Sequence, residues 1–164
     1  MTRWYAGALG VALVSLISAC GGLGETGLSS LCGSEEAVVA RVLDGDTVEL
    51  EDGKKIRYLH IDTPEIAHNG VEQDQCFAQE ARQLNQELVQ GKTVQLEYDL
   101  NCADRFGRTL AFVSVEGRMV NQILIERGYA ELAIYAPNVA LEDEFKALEE
   151  QARETQAGLW GACQ

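Results

Sequence analysis

At 164 residues, with 46% apolar and 24% charged side chains, the chain is long enough for one globular domain with a sizeable core. Its formal net charge of −13 makes electrostatic steering of a polyanion by the whole surface poor, so any polyanion site has to be a local basic patch. The same acidity is expected to serve solubility.

The N-terminus reads as a targeting segment outside the fold. Arg3 supplies a positive start, residues 8–17 are an apolar run too short to span as a mature helix, and Ser18-Ala19 are small residues before Cys20. The run Leu16-Ile17-Ser18-Ala19-Cys20 resembles the bacterial lipoprotein signal. That resemblance implies a signal peptide over residues 1–19, acylation of Cys20 by more than one chain, and stable attachment to a cell membrane or outer membrane. An ordinary secretory signal and a retained anchor are the competing expectations. Removing residues 1–19 deletes only Arg3 among the charged groups and takes the mature chain from −13 to −14. Residues 20–34, rich in Gly and Ser, read as a flexible tether ahead of a domain over 35–164.

Residues 37–43 are apolar and β-branched and predict a strand; Asp44-Gly45-Asp46 breaks it and residues 47–51 resume it. Asp52-Gly53 is a second favoured turn pair, and residues 54–61 predict a third strand, giving a meander that opens an all-β barrel. Period-2 alternation sends Arg57 and Asp62 to opposite faces of that strand unless the chain bends before Asp62. Pro64 is the expected cause of the bend, because it biases Thr63 to an extended conformation and removes a ladder donor. Residues 66–75 form a polar loop. Phe77, Ala81, Leu84 and Leu88 then recur at helical spacing up to Gly91. Residues 93–98 and 109–115 predict the fourth and fifth strands, with a polar loop between them. Residues 120–127 predict a short helix stopped by Gly128, 129–136 a partly extended apolar stretch, and Leu141, Phe145, Leu148 and Ala152 a last amphipathic helix ending at Gly158. Leu159-Trp160 is expected to pack back on the body. The sum is a mainly β fold with helices (α+β), a five-stranded OB-like barrel with three α-helices.

Carboxylates that gather a hard cation and arginines that grip phosphate are what phosphodiester hydrolysis needs, and the chain holds both. Taken singly, each has a plainer reading: aspartates in turns, arginines on the surface, aromatics in packing. Together, Leu43-Asp44-Gly45-Asp46-Thr47-Val48, then Arg57 through Asp62-Thr63-Pro64-Glu65, then Asp104-Arg105-Phe106-Gly107-Arg108-Thr109-Leu110-Ala111, then Gly117-Arg118-Met119-Val120-Asn121 resemble the staphylococcal nuclease (thermonuclease) family over about residues 37–160. The resemblance implies hydrolysis of DNA and RNA with Ca²⁺, of single-stranded or loosened substrate and with little sequence preference. It implies Asp46, Asp62 and the Thr63 carbonyl as metal ligands, Glu65 as the residue that activates or positions water, and Arg57 and Arg108 as phosphate ligands. Phe106 and Tyr135 fall at aromatic positions that contact the nucleotide. A monomer without an obligate protein partner is expected. Two departures weaken substrate capture: Ala133 replaces a family tyrosine, and the loop after Glu65 is short and lacks lysines. Asp104 is expected to fix its own loop, and His60 and His68 to be non-catalytic. The rival expectations are a non-catalytic OB module that binds nucleic acid or protein on the cell envelope, and a scaffolding lipoprotein.

With Cys20 acylated, Cys32, Cys76, Cys102 and Cys163 remain, an even number that predicts two disulfides in an exported domain. Of the three connectivities, Cys76–Cys102 would tie two loops near the site and Cys32–Cys163 would tie the ends, and these are the expected pairs. Zinc is disfavoured by the lack of CxxC or HxxH spacing.

Overall fold

The computed structural model describes residues 1, 32, 34–67 and 73–163. The proposed signal peptide beyond its first residue, Cys20, the tether at residues 20–31 and 33, and His68 lie outside the described residues. Within them, β1 (Ser34–Val42) pairs antiparallel with both β2 (Thr47–Leu50) and β5 (Thr93–Glu97). Strand β3 (Lys55–Tyr58) pairs antiparallel with β2, and β6 (Thr109–Val115) antiparallel with β5. A parallel pairing of β3 with β6, with Arg57 opposite Leu110, closes these five strands into a barrel. The two-residue β7 (Arg118–Met119) extends the β6 edge.

The barrel forms because its strands carry an apolar residue at alternate positions. Val39, Val48, Ile56, Leu96 and Val113 are all fully buried. Helix α1 (Ala78–Val89) presents Ala78, Ala81 and Val89 inward. Helix α2 (Val120–Glu126) buries Val120, Asn121, Ile123, Leu124 and Ile125, as fits a helix that packs against both the barrel and α3 (Glu142–Glu154). The one-turn α4 (Leu159–Ala162) buries Leu159, as expected for the residues that pack back.

The third predicted strand is not continuous. It stops at Tyr58, and His60 takes a left-handed backbone angle, φ 66°, that a non-glycine residue adopts only where its surroundings impose it. The chain then resumes as β4 (His60–Asp62), which leaves the barrel and pairs with β8 (Glu131–Ala133). Pro64 is therefore not the cause of the bend. Buried polar contacts hold it: the Leu59 N–H donates to Ala111 O at 2.9 Å, and Asn121 Nδ2 donates to Leu59 O at 2.9 Å. The His60 ring bonds Ala140 O through Nε2 and sits edge-on between Phe112 and Phe145.

The expected disulfide pairing is also corrected. The bonds are Cys32–Cys102 and Cys76–Cys163, with Cα separations of 6.2 and 5.8 Å. Ser34 stands opposite Glu97 in the β1–β5 ladder, so Cys32 lies past the end of β5, where the chain runs on to Cys102. Cys76 precedes α1 and meets the residue that follows α4. The expectation that the two ends of the domain would be tied together ignored this antiparallel register.

Candidate active site

Asp46 ends the Asp-Gly-Asp turn, whose Leu43 and Asp44 N–H groups donate to Thr47 O. Gly45 is required there by close approach, not by backbone angle: a Cβ at Gly45 would lie 2.6–2.8 Å from the Thr63 side chain. Thr63, in return, donates its N–H (2.8 Å) and its hydroxyl (3.1 Å) to Asp46 Oδ2, while the Thr47 hydroxyl donates to Oδ1 at 3.1 Å. The turn before β2 and the chain after β4 are thus locked face to face. Burial pushes the Asp46 carboxyl up to about 7; the Arg57 charge and the Thr63 N–H pull it down, and neighbouring Asp44 pushes it up again.

The bend at His60 brings Asp62 onto the Arg57 side. The Arg57 guanidinium, its side chain 12% exposed, makes ion pairs with Asp46 through Nη1 and with Asp62 through Nη2. Asp62 is half exposed and lies at the rim. Two carboxylates therefore converge on the Arg57 guanidinium, and the Thr63 main chain donates to one of them, Asp46. Among the described residues no three His, Cys, Asp or Glu side chains cluster as a metal site. The ligands that the resemblance implies, Asp46, Asp62 and the Thr63 carbonyl, are all oxygen donors and would leave further positions to water and substrate. That fits a hard divalent cation such as Ca²⁺ and not a thiophilic one.

Arg108 comes from the loop before β6. Asp104 accepts the N–H groups of Phe106 (2.8 Å) and Arg108 (3.0 Å) on Oδ1, and Arg108 Nε (2.7 Å) on Oδ2. Burial alone pushes the Asp104 carboxyl up, but these donors and the Arg108 charge outweigh it and hold it below the usual range. Asp104 thus fixes its loop as expected and grips Arg108 by Nε. Arg57, Glu65, Arg105 and Arg108 line one cleft of about 640 Å³. Phe106 and Tyr135, 70% and 74% exposed, also line it, and Arg105 stands over the Phe106 ring at 4.8 Å. Neither aromatic is packed in the core. Ala133 lines the same cleft. A second groove of about 590 Å³ meets it at Asp62 and has no Lys or Arg among the described residues that line it; Glu131, directly across the β4–β8 ladder from Asp62, is in its wall.

His60 is buried, and burial lowers its pKa. It is a structural residue of the bend. Sequence reasoning missed the buried asparagines behind the site. Asn85 accepts the Tyr58 hydroxyl at 2.9 Å and donates to Asp44 O at 3.2 Å; Asn121 joins α2 to β6 and to the bend. Asn85 falls in phase with Ala81 and Val89 on the buried stripe of α1, and an amide in that phase was the available signal.

Residues 55–162 match the family described as staphylococcal nuclease homologue. The chain belongs to this family. It is 37% identical over 126 residues to "Endonuclease YncB" of Bacillus subtilis (strain 168), covering 73% of this chain and 59% of the relative. It is 35% identical over 131 residues to "SPbeta prophage-derived endonuclease YokF" of the same organism, covering 76% and 44%. To "Thermonuclease" of Staphylococcus hyicus it is 34% identical over 125 residues, covering 74% and 73%. The chain thus spans about half the length of the two Bacillus relatives. In this staphylococcal nuclease homologue the matched span includes Arg57, Asp62, Glu65 and Arg108 but not Asp46. The fold itself brings Asp46 to the site, through Thr63 and Arg57.

Proposed function

We propose that the chain is an exported, Ca²⁺-dependent nuclease that hydrolyses phosphodiester bonds of DNA and RNA, single-stranded or loosened, with little sequence preference. The convergence of Asp46 and Asp62 on Arg57, at the mouth of a cleft with further arginines and two exposed aromatic rings, carries this reading. Membership of a family whose relatives bear the names endonuclease and thermonuclease supports it. Asp46, Asp62 and the Thr63 carbonyl would hold the cation, which would supply Lewis-acid polarisation of a phosphoryl oxygen. Arg57 and Arg108 present guanidinium forks to the charge that grows on the phosphoryl oxygens in the transition state. Glu65, exposed at the cleft, accepts a hydrogen bond from the attacking water and orients it. Phe106 and Tyr135 offer faces on which bases stack, a contact tolerant of sequence.

The lipoprotein-like Leu16–Cys20 run and the two disulfides support export, with acylated Cys20 tethering a monomeric domain to the membrane on the periplasmic or extracellular side. The test is a soluble form beginning after Cys20 and retaining Cys32, incubated with single-stranded DNA in Ca²⁺ or in chelator. Cleavage in Ca²⁺ alone is expected. Binding without cleavage would replace the enzyme by a nucleic-acid-binding barrel.

A further inference from the structure

Glu65 lies in an exposed loop, yet its main chain is pinned twice by one residue. The Gln75 N–H donates to Glu65 O at 3.0 Å, and the Gln75 side-chain Oε1 accepts the Glu65 N–H at 2.9 Å. The two bonds close a ring that fixes the peptides on both sides of Glu65. Without it these exposed groups would bond to water and the backbone would be free to turn. Gln75 is anchored in its turn: its carbonyl accepts the Ala78 N–H at 3.1 Å, at the foot of α1. Its neighbour Cys76 is bonded to Cys163, beyond α4. Asp74 adds a third tie by accepting the Ala67 N–H (2.9 Å) and the Gln79 amide (2.7 Å). Cys76 and Cys163 are exposed and lie in the wall of the second groove, within reach of a soluble thiol. The other bond, Cys32–Cys102, joins the start of β1 to the loop after β5 and has no part in this clamp.

We propose that Gln75 is the positioning residue for Glu65 and that the Cys76–Cys163 bond anchors it, so that hydrolysis depends on that bond. The inference rests on the role given above to Glu65. A group that orients water works only within a narrow range of positions, and a displacement of about 1 Å can lower the rate about 10²-fold. Reduction would follow ordinary thiol–disulfide exchange. A dithiol supplies two electrons and two protons to the Cys76–Cys163 bond, leaving two thiols on the protein and a cyclic disulfide on the reagent. An enzyme of this kind would be weakly active where thiols are kept reduced and fully active where they are oxidised.

The experiment compares Gln75→Met, which keeps length and loses the acceptor, with Gln75→Glu, which keeps it. The paired Cys76→Ser/Cys163→Ser variant is compared with Cys32→Ser/Cys102→Ser. Steady-state kinetics on single-stranded DNA are run beside hydrogen exchange at the Glu65 amide. Gln75→Met and the Cys76/Cys163 pair are expected to lower kcat about 10-fold to 10²-fold at unchanged KM. Both should lose Glu65 protection, and their effects should not add when combined. Gln75→Glu should recover kcat, and the Cys32/Cys102 pair should keep kcat and protection while melting earlier. Wild-type kcat in Gln75→Met, or equal loss of kcat in both cysteine pairs, would overturn the proposal. No hydrolysis by the oxidised wild type would sink the nuclease reading itself, and this inference with it. Intact turnover in a Gln75→Met variant that has lost Glu65 protection would sink the inference alone.

Discussion

Asp46 is the residue on which stability and chemistry pull against each other. Its carboxyl is buried and pushed up to about 7, well above the value near 3.9 expected for it in an unfolded chain. A folded pKa above the unfolded one means that the favourable contribution is complete below the unfolded value and is lost as pH rises through about 7. Burial thus disfavours the ionised form that a cation would need, while Arg57 and the Thr63 N–H favour it. Activity in limiting Ca²⁺ is expected to climb between pH 6 and 8, as the cation competes less with the proton; a flat profile over that range would argue against Asp46 as a ligand. Asp46→Asn should abolish Ca²⁺-dependent turnover yet melt no earlier than wild type at pH 8, read by calorimetry. Arg108→Lys should lower kcat/KM about 10²-fold, because Asp104 already holds Nε and lysine has no further donors set in a fork. At this scale the coming together of Asp46, Arg57 and Asp62, and of Glu65 and Arg108 along one cleft, was legible from residue types and spacing. Their supports were not: Asn85, Asn121 and Gln75 are ordinary polar residues whose importance exists only once distant segments meet them.

At the scale of elements, the strands and helices followed from periodicity and turn residues to within a few positions. The break between β3 and β4 did not. Alternation has no marker for a left-handed histidine, and the bend is imposed by Asn121, Ala111 and two aromatic rings that lie far along the chain. The Asp-Gly-Asp turn shows the converse, a visible motif whose reason was hidden. Asp52-Gly53 uses its glycine for a positive angle in open space, whereas Gly45 is there so that Thr63 can lie against it. Gly45→Ala is expected to lower stability by about 1–3 kcal/mol in urea titration and to weaken Ca²⁺ binding through displacement of Thr63. Gly53→Ala should cost about 1–2 kcal/mol and leave Ca²⁺ affinity as it was. Equal affinities in both variants would show that Thr63 does not position Asp46.

For the whole molecule, barrel class and helix content were readable because each local preference agreed with the global arrangement. Disulfide pairing was not, because it depends on which ends of β1, β5, α1 and α4 come together. The Cys32–Cys102 bond closes a loop of 70 residues, and loop-closure entropy puts its contribution at about 4 kcal/mol. Its removal should lower the unfolding free energy by that order, read by urea titration, with kcat unchanged at temperatures where the protein is folded. The closing β3–β6 ladder has a further consequence. It sets Arg57 opposite Leu110, two positions beyond Arg108, so the main-chain positions from which the two arginines extend are held by the same row of hydrogen bonds that seals the barrel. The roots of the proposed phosphate grip cannot part without the cylinder unrolling. A nucleotide lodged between those arginines would act as a rivet, raising the melting temperature of every variant whose folded form survives, however far the lesion lies from the cleft.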